Sequence, residues 1–77
     1  MLSDKEDSNK VNHLNQLSVA YWYTSPDTAF HLSENALALS EKIKFEKGVA
    51  VSLNNIGVVN YLQGNFKEAM NYFLKTI

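Results

Sequence analysis

The segment Ala50-Val51-Ser52-Leu53-Asn54-Asn55-Ile56-Gly57-Val58-Val59-Asn60-Tyr61-Leu62-Gln63-Gly64-Asn65-Phe66-Lys67-Glu68-Ala69-Met70-Asn71-Tyr72-Phe73-Leu74-Lys75-Thr76-Ile77 carries two helical patterns. Leu53, Ile56, Gly57 and Asn60 recur three and four residues apart, which puts them on one face of a helix from about Val49 to Gln63. Phe66, Ala69, Met70, Phe73 and Ile77 do the same for a second helix. Between them stands Gly64-Asn65, two residues that tolerate positive φ and so end the first helix. The segment reads as a hairpin of two amphipathic helices.

A looser copy lies upstream. Leu14, Leu17, Ser18 and Tyr21 stand against Leu53, Ile56, Gly57 and Asn60 at a shift of 39, and Ala29, Leu32 and Ala36 against Ala69, Tyr72 and Thr76 at a shift of 40. The difference of one residue falls in the turn between the helices, where an insertion costs little. That turn is Thr24-Ser25-Pro26-Asp27. Serine suits the N-cap and proline the first helical position, so a new helix starts there. It carries Ala29, Leu32, Ser33, Ala36, Leu37, Ser40 and Ile43 on one face, a stripe of mostly small residues that lets helix backbones approach closely. Its end is expected around Phe45-Glu46-Lys47-Gly48, with Gly48 as the left-handed C-cap residue. The first helix is expected from an N-cap at Asp7 or Ser8 to about Tyr23, with Val11, Leu14, Leu17 and Tyr21 inward. The expected fold is all-α, an α-α superhelix of two antiparallel helix hairpins and four helices. Residues 1–8 form a flexible leader, 9–48 the first pair, and 49–77 the second, which ends without a capping helix.

Composition narrows the function. A chain of 77 residues makes one small domain that buries about 60% of its unfolded surface. There is no cysteine, which removes disulfides, thiolate metal sites and cysteine nucleophiles. The net charge is −1, all the basic side chains are lysines, and neither sign clusters, which argues against nucleic acid as a partner. No apolar run follows a basic start and none reaches the ~20 residues of a membrane span. The segment is therefore expected to be cytoplasmic by default, or periplasmic if a signal peptide lies upstream.

Catalysis finds no candidate constellation. His31 and Glu34 lie one turn apart, but two ligands fall short of a zinc site and His13 is on another helix. There is no Gly-x-Ser-x-Gly elbow, and Gly57 and Gly64 lack the lysine of a phosphate loop. No cofactor and no metal are expected.

The residues resemble the tetratricopeptide repeat. Leu53 stands at the motif's tryptophan or leucine position, Ile56-Gly57 at its Leu-Gly, Tyr61 next to its tyrosine, and Gln63-Gly64-Asn65-Phe66 at its turn, followed by Lys67-Glu68-Ala69 and Tyr72-Phe73. Departures are Ser18 for glycine, Thr76 for alanine, and Asn60 at the tyrosine position. The resemblance covers residues 10–77 and implies a non-catalytic protein-protein interaction scaffold. The spacing of about 40 against the usual 34 or so is similar to repeats of bacterial two-component sensor kinases and related regulators.

In such arrays the first helix of each pair lines a concave face. The stripes beside the packing face are Asn12, Asn15, Val19, Trp22 and Tyr23, and then Val51, Asn54, Val58, Tyr61 and Leu62. The residues expected in a partner-binding groove are Asn12, Asn15, Val19, Trp22, Asn54, Val58 and Tyr61, with amides to satisfy a peptide backbone and aromatics to supply contact area. No lysine is expected on that face, which speaks against a carboxylate clamp of the family's chaperone-binding type. Met70, Phe73, Leu74 and Ile77 have no following helix and form a self-association or next-repeat face. The expected partner is a protein or peptide. The alternative is a structural spacer or dimerisation module without a ligand groove.

Overall fold

The computed structural model describes the backbone of residues 4–76 and the side chains of residues 7–76. They form four helices: α1 (Asp4–Tyr21), α2 (Pro26–Lys42), α3 (Glu46–Leu62) and α4 (Phe66–Leu74). No strand occurs among the described residues. The all-α architecture of helix hairpins is as expected, but several boundaries move. Asp7 and Ser8 lie inside α1, so neither is its N-cap, and the helix takes in residues 4–8 of the expected leader. Nothing between Asp4 and Lys10 breaks a helix, and acidic side chains in a first turn favour the positive end of the helix dipole.

The turns follow their side chains. Ser25 is the N-cap position of α2 with Pro26 first in the helix. Its hydroxyl bonds the Thr28 hydroxyl at 2.7 Å rather than a backbone N–H. The ends of α2 and α3 share one geometry. Phe45 N–H donates to the Ser40 carbonyl at 2.8 Å and Lys44 N–H to Glu41 at 3.3 Å. Asn65 N–H likewise donates to Asn60 at 2.8 Å and Gly64 N–H to Tyr61 at 3.0 Å. Both are Schellman closures, which require a left-handed residue just past the helix. Gly64 fills that position at φ 85, whereas after α2 it is Lys44, at φ 57, that does so.

Gly48 is therefore not the C-cap residue: α3 starts at Glu46 and takes Gly48 into its first turn. A side chain in the left-handed region is strained, so Lys44→Gly is expected to raise stability by about 0.5–1 kcal/mol, seen as a higher urea midpoint at unchanged slope. A lower midpoint would contradict the assigned backbone.

Short turns make successive helices pack as antiparallel neighbours, and α1 also touches α3. The small stripe of α2 is its buried edge: Ala29, Ser33, Ala36 and Ser40 are all fully buried. Ser33 can donate to Ser18 Oγ at 2.6 Å while Ser18 donates to the Ala29 carbonyl at 2.9 Å, tying α1 to α2. Ser40 returns its proton to the Ala36 carbonyl at 2.7 Å. Among the described residues only Val11, Ile56 and Val59 are large apolar side chains buried outright. The core is correspondingly thin, and its polar members are hydrogen-bonded rather than replaced by larger apolar groups. Asn60, at the family's tyrosine position, donates to the Ile56 carbonyl at 2.9 Å and accepts from Asn65 at 3.4 Å.

Candidate binding groove

The contact of α1 with α3 places two first-helices side by side. Between them lies a cavity of about 320 Å³ lined by Asn12, Asn15, Gln16 and Val19 of α1 and Lys47, Val51 and Asn55 of α3. Asn12, Gln16 and Val19 share one face because they stand four and three residues apart, as do Lys47, Val51 and Asn55 at steps of four.

Below the opening, a polar cluster joins the helices. Asn15 is only 4% exposed; its Nδ2 donates to Ser52 Oγ at 3.1 Å and its Oδ1 accepts from Asn55 Nδ2 at 3.0 Å. Ser52 is fully buried and Asn55 nearly so. Both helices are thus clamped in one register by amides whose capacity is mostly used within the protein.

The expected groove residues divide. Asn12 and Val19 are exposed and line the cavity. Asn15 lies in its floor, tied to α3, so it is not a free recognition amide. Asn54 is exposed but outside the lining, where Asn55 stands instead. Val58 and Trp22 are half-buried outside the lining, and Trp22 Nε1 is sealed from solvent without a hydrogen-bond partner. Tyr61 is exposed and stacks edge-on against Phe66 at 5.3 Å between ring centroids, which joins it to the α4 side.

Gln16, Lys47 and Asn55 were not expected. The expectation that no lysine reaches this face fails because α3 begins at Glu46 instead of Val49, which adds Lys47 one turn before Val51. Asn55 escaped because α3 is covered on both sides. Ser52, Asn55, Ile56, Gly57, Val59 and Asn60 are all buried, too wide a band for a single stripe to describe. Gln16 follows Asn12 by one turn, a signal present in the sequence.

At the other end, Met70 and Leu74 are exposed. Phe73 is not part of that open face: its half-buried ring lies over Gly57, where an added Cβ would meet it at 2.7 Å. Ile77 lies outside the described residues. His31 Nδ1 and Glu34 Oε1 are 3.7 Å apart on an exposed surface, and no group of three potential metal ligands occurs among the described residues. No described helix is long and apolar enough to cross a membrane.

A tetratricopeptide repeat family model matches residues 9–77, and the chain belongs to that family. Its repeats are non-catalytic and generally mediate protein-protein interaction. Neither the comparison with curated proteins nor that with solved structures returned a match.

Proposed function

We propose that this chain binds a peptide or partner helix in the cavity between α1 and α3. The supporting observation is the lining: Asn12 and Gln16 offer exposed amides, Val19 and Val51 an apolar surface, and Lys47 a cation at one end. Buried amides below tie the two walls in one register, so little ordering is needed on binding. A peptide selected on this protein from a displayed library tests the reading. Val51→Glu and the Asn12→Ala/Gln16→Ala pair are expected to weaken it at least about tenfold in calorimetric titration, with helix content unchanged. Equal affinity in all variants would remove the groove from the account.

The exposed face of α4 favours a second reading, self-association without a ligand groove. Tyr61, Phe66, Met70 and Leu74 are 57, 62, 57 and 59% exposed and continuous along the last turn and helix. On this reading the protein dimerises at micromolar concentration in sedimentation equilibrium and Met70→Lys returns it to a monomer. A wild type that stays monomeric at high concentration would exclude it.

We further read the chain as part of a larger bacterial sensory or regulatory protein. The support is the repeat spacing of 39 to 40 residues. A reading frame that encodes no membrane span, kinase or other regulatory domain beside this segment would refute it.

A further inference from the structure

A second concavity lies on the other side of the first hairpin. About 380 Å³ in volume, it is lined by Lys10 and Leu14 of α1 and by Asn35, Ala38, Leu39 and Lys42 of α2. Lys10 and Leu14 stand roughly half a turn round α1 from Asn12 and Gln16, so this slot is separate from the groove. Leu14 and Leu39 are half-buried and form the floor, while Lys10, Asn35 and Lys42 are exposed at the rim. Among the described side chains no carboxylate lines the slot: Asp7 of α1 and Asp27, Glu34 and Glu41 of α2 are outside it.

The internal repeat indicates what shape fits. At a shift of 39, Lys10 and Leu14 correspond to Val49 and Leu53. Those two are half-buried on α3, the helix that packs against α2. The equivalent positions of the second hairpin are thus apolar and partly covered, on a helix packed among other helices. The difference is lysine in place of valine, joined across the slot by Lys42. We infer that the slot docks an amphipathic helix of a partner protein, with an apolar stripe on Leu14 and Leu39 and carboxylates facing Lys10 and Lys42. A second copy of this chain is the poorer fit. Its exposed apolar stripe, Phe66, Met70 and Leu74 on α4, is bordered by Lys67, which would bring lysine against lysine.

The test uses a capped, fluorescein-labelled helical peptide with leucines at i, i+3, i+4 and i+7 flanked by glutamates, and a twin with lysines for the glutamates. Fluorescence anisotropy is expected to show the glutamate peptide binding about tenfold more tightly than its twin. Lys10→Glu/Lys42→Glu, two exposed positions, should reverse that order at unchanged circular dichroism. Equal binding of the two peptides, or an order unmoved by charge reversal, would overturn the inference. So would loss of binding through Val51→Glu, which would seat the peptide in the groove instead. A wild-type dimer dissolved by the charge reversal would make the occupant a second copy and overturn it too. Apart from the Val51→Glu comparison, these outcomes do not depend on whether the groove binds a partner.

Discussion

Asn15→Ala is expected to lower the unfolding free energy by about 2–3 kcal/mol, or roughly 10–20 °C in thermal midpoint for a chain of this length. The side chain is small and its loss opens little space, so cavity formation alone does not set the size of the effect. The cost comes from what remains. Asn55 Nδ2 loses its 3.0 Å acceptor and keeps only the long 3.5 Å contact to the Asn15 backbone carbonyl, Ser52 Oγ loses its donor at 3.1 Å, and both residues are buried between α1 and α3. An unsatisfied buried amide is costly, whereas removing both partners together can be close to neutral. Asn15→Ala/Asn55→Ala should therefore be less destabilising than the sum of the single changes. A double-mutant cycle by urea denaturation measures this directly. Additive losses, or a single loss below about 0.5 kcal/mol, would show that the cluster does not couple the two helices. Total stabilities are about 0.05–0.15 kcal/mol per residue, so the predicted loss is a large share of what holds this protein folded.

Gly48→Ala is the second large effect, and its sign separates two lines of reasoning. Helix propensity alone favours alanine over glycine by about 1 kcal/mol inside a helix, and Gly48 is inside α3. The packing opposes it. A Cβ there would lie 2.6 Å from Phe45 Cδ2, 2.6 Å from Ser40 Oγ and 2.9 Å from Val11 Cγ1. These neighbours come from α1, α2 and the turn before α3, so no single side chain can move to relieve the overlap. Overpacking of this kind costs about 1–3 kcal/mol, and a net loss of about 1–2 kcal/mol is expected with helix content retained. Ser40→Ala in the Gly48→Ala background removes one of the three clashes and should recover part of the loss. A raised thermal midpoint for Gly48→Ala would mean that α1, α2 and α3 are not this close. Gly64 is a glycine for another reason: no atom lies within 4 Å of its would-be Cβ, but its φ of 85 excludes most side chains.

Much of the architecture was legible because it rests on local periodicity. Leu53-x-x-Ile56-Gly57 and Phe66-x-x-Ala69 mark helix faces wherever they occur, and Ser25-Pro26 and Gly64-Asn65 mark their ends. Boundaries were less legible at the α2–α3 turn. Two residue types compete there for the left-handed position, and the local preference for glycine pointed to Gly48 while the chain uses Lys44. That error moved the start of α3 by three residues and hid Lys47 from the groove.

The groove itself was half legible. Asn12 and Val19 follow from the stripe beside the packing face of α1. Asn15 and Asn55 have the same side chain as Asn12 and Asn54, and only the crossing of α1 over α3 decides which pair is buried. Tyr61 and Trp22 left the groove for a similar reason, the one drawn to Phe66 and the other turned partly inward.

By itself the sequence determined four helices, their pairing into two similar hairpins and the family to which they belong, since these depend on spacing within about ten residues of each position. The tertiary structure alone decided which polar residues are buried, where glycine is required by contact rather than by φ, and which lysines border each concavity. Those properties depend on neighbours on other helices, for the Asn15 cluster 37 and 40 residues away in the chain, and no local pattern encodes the distance between two helix axes.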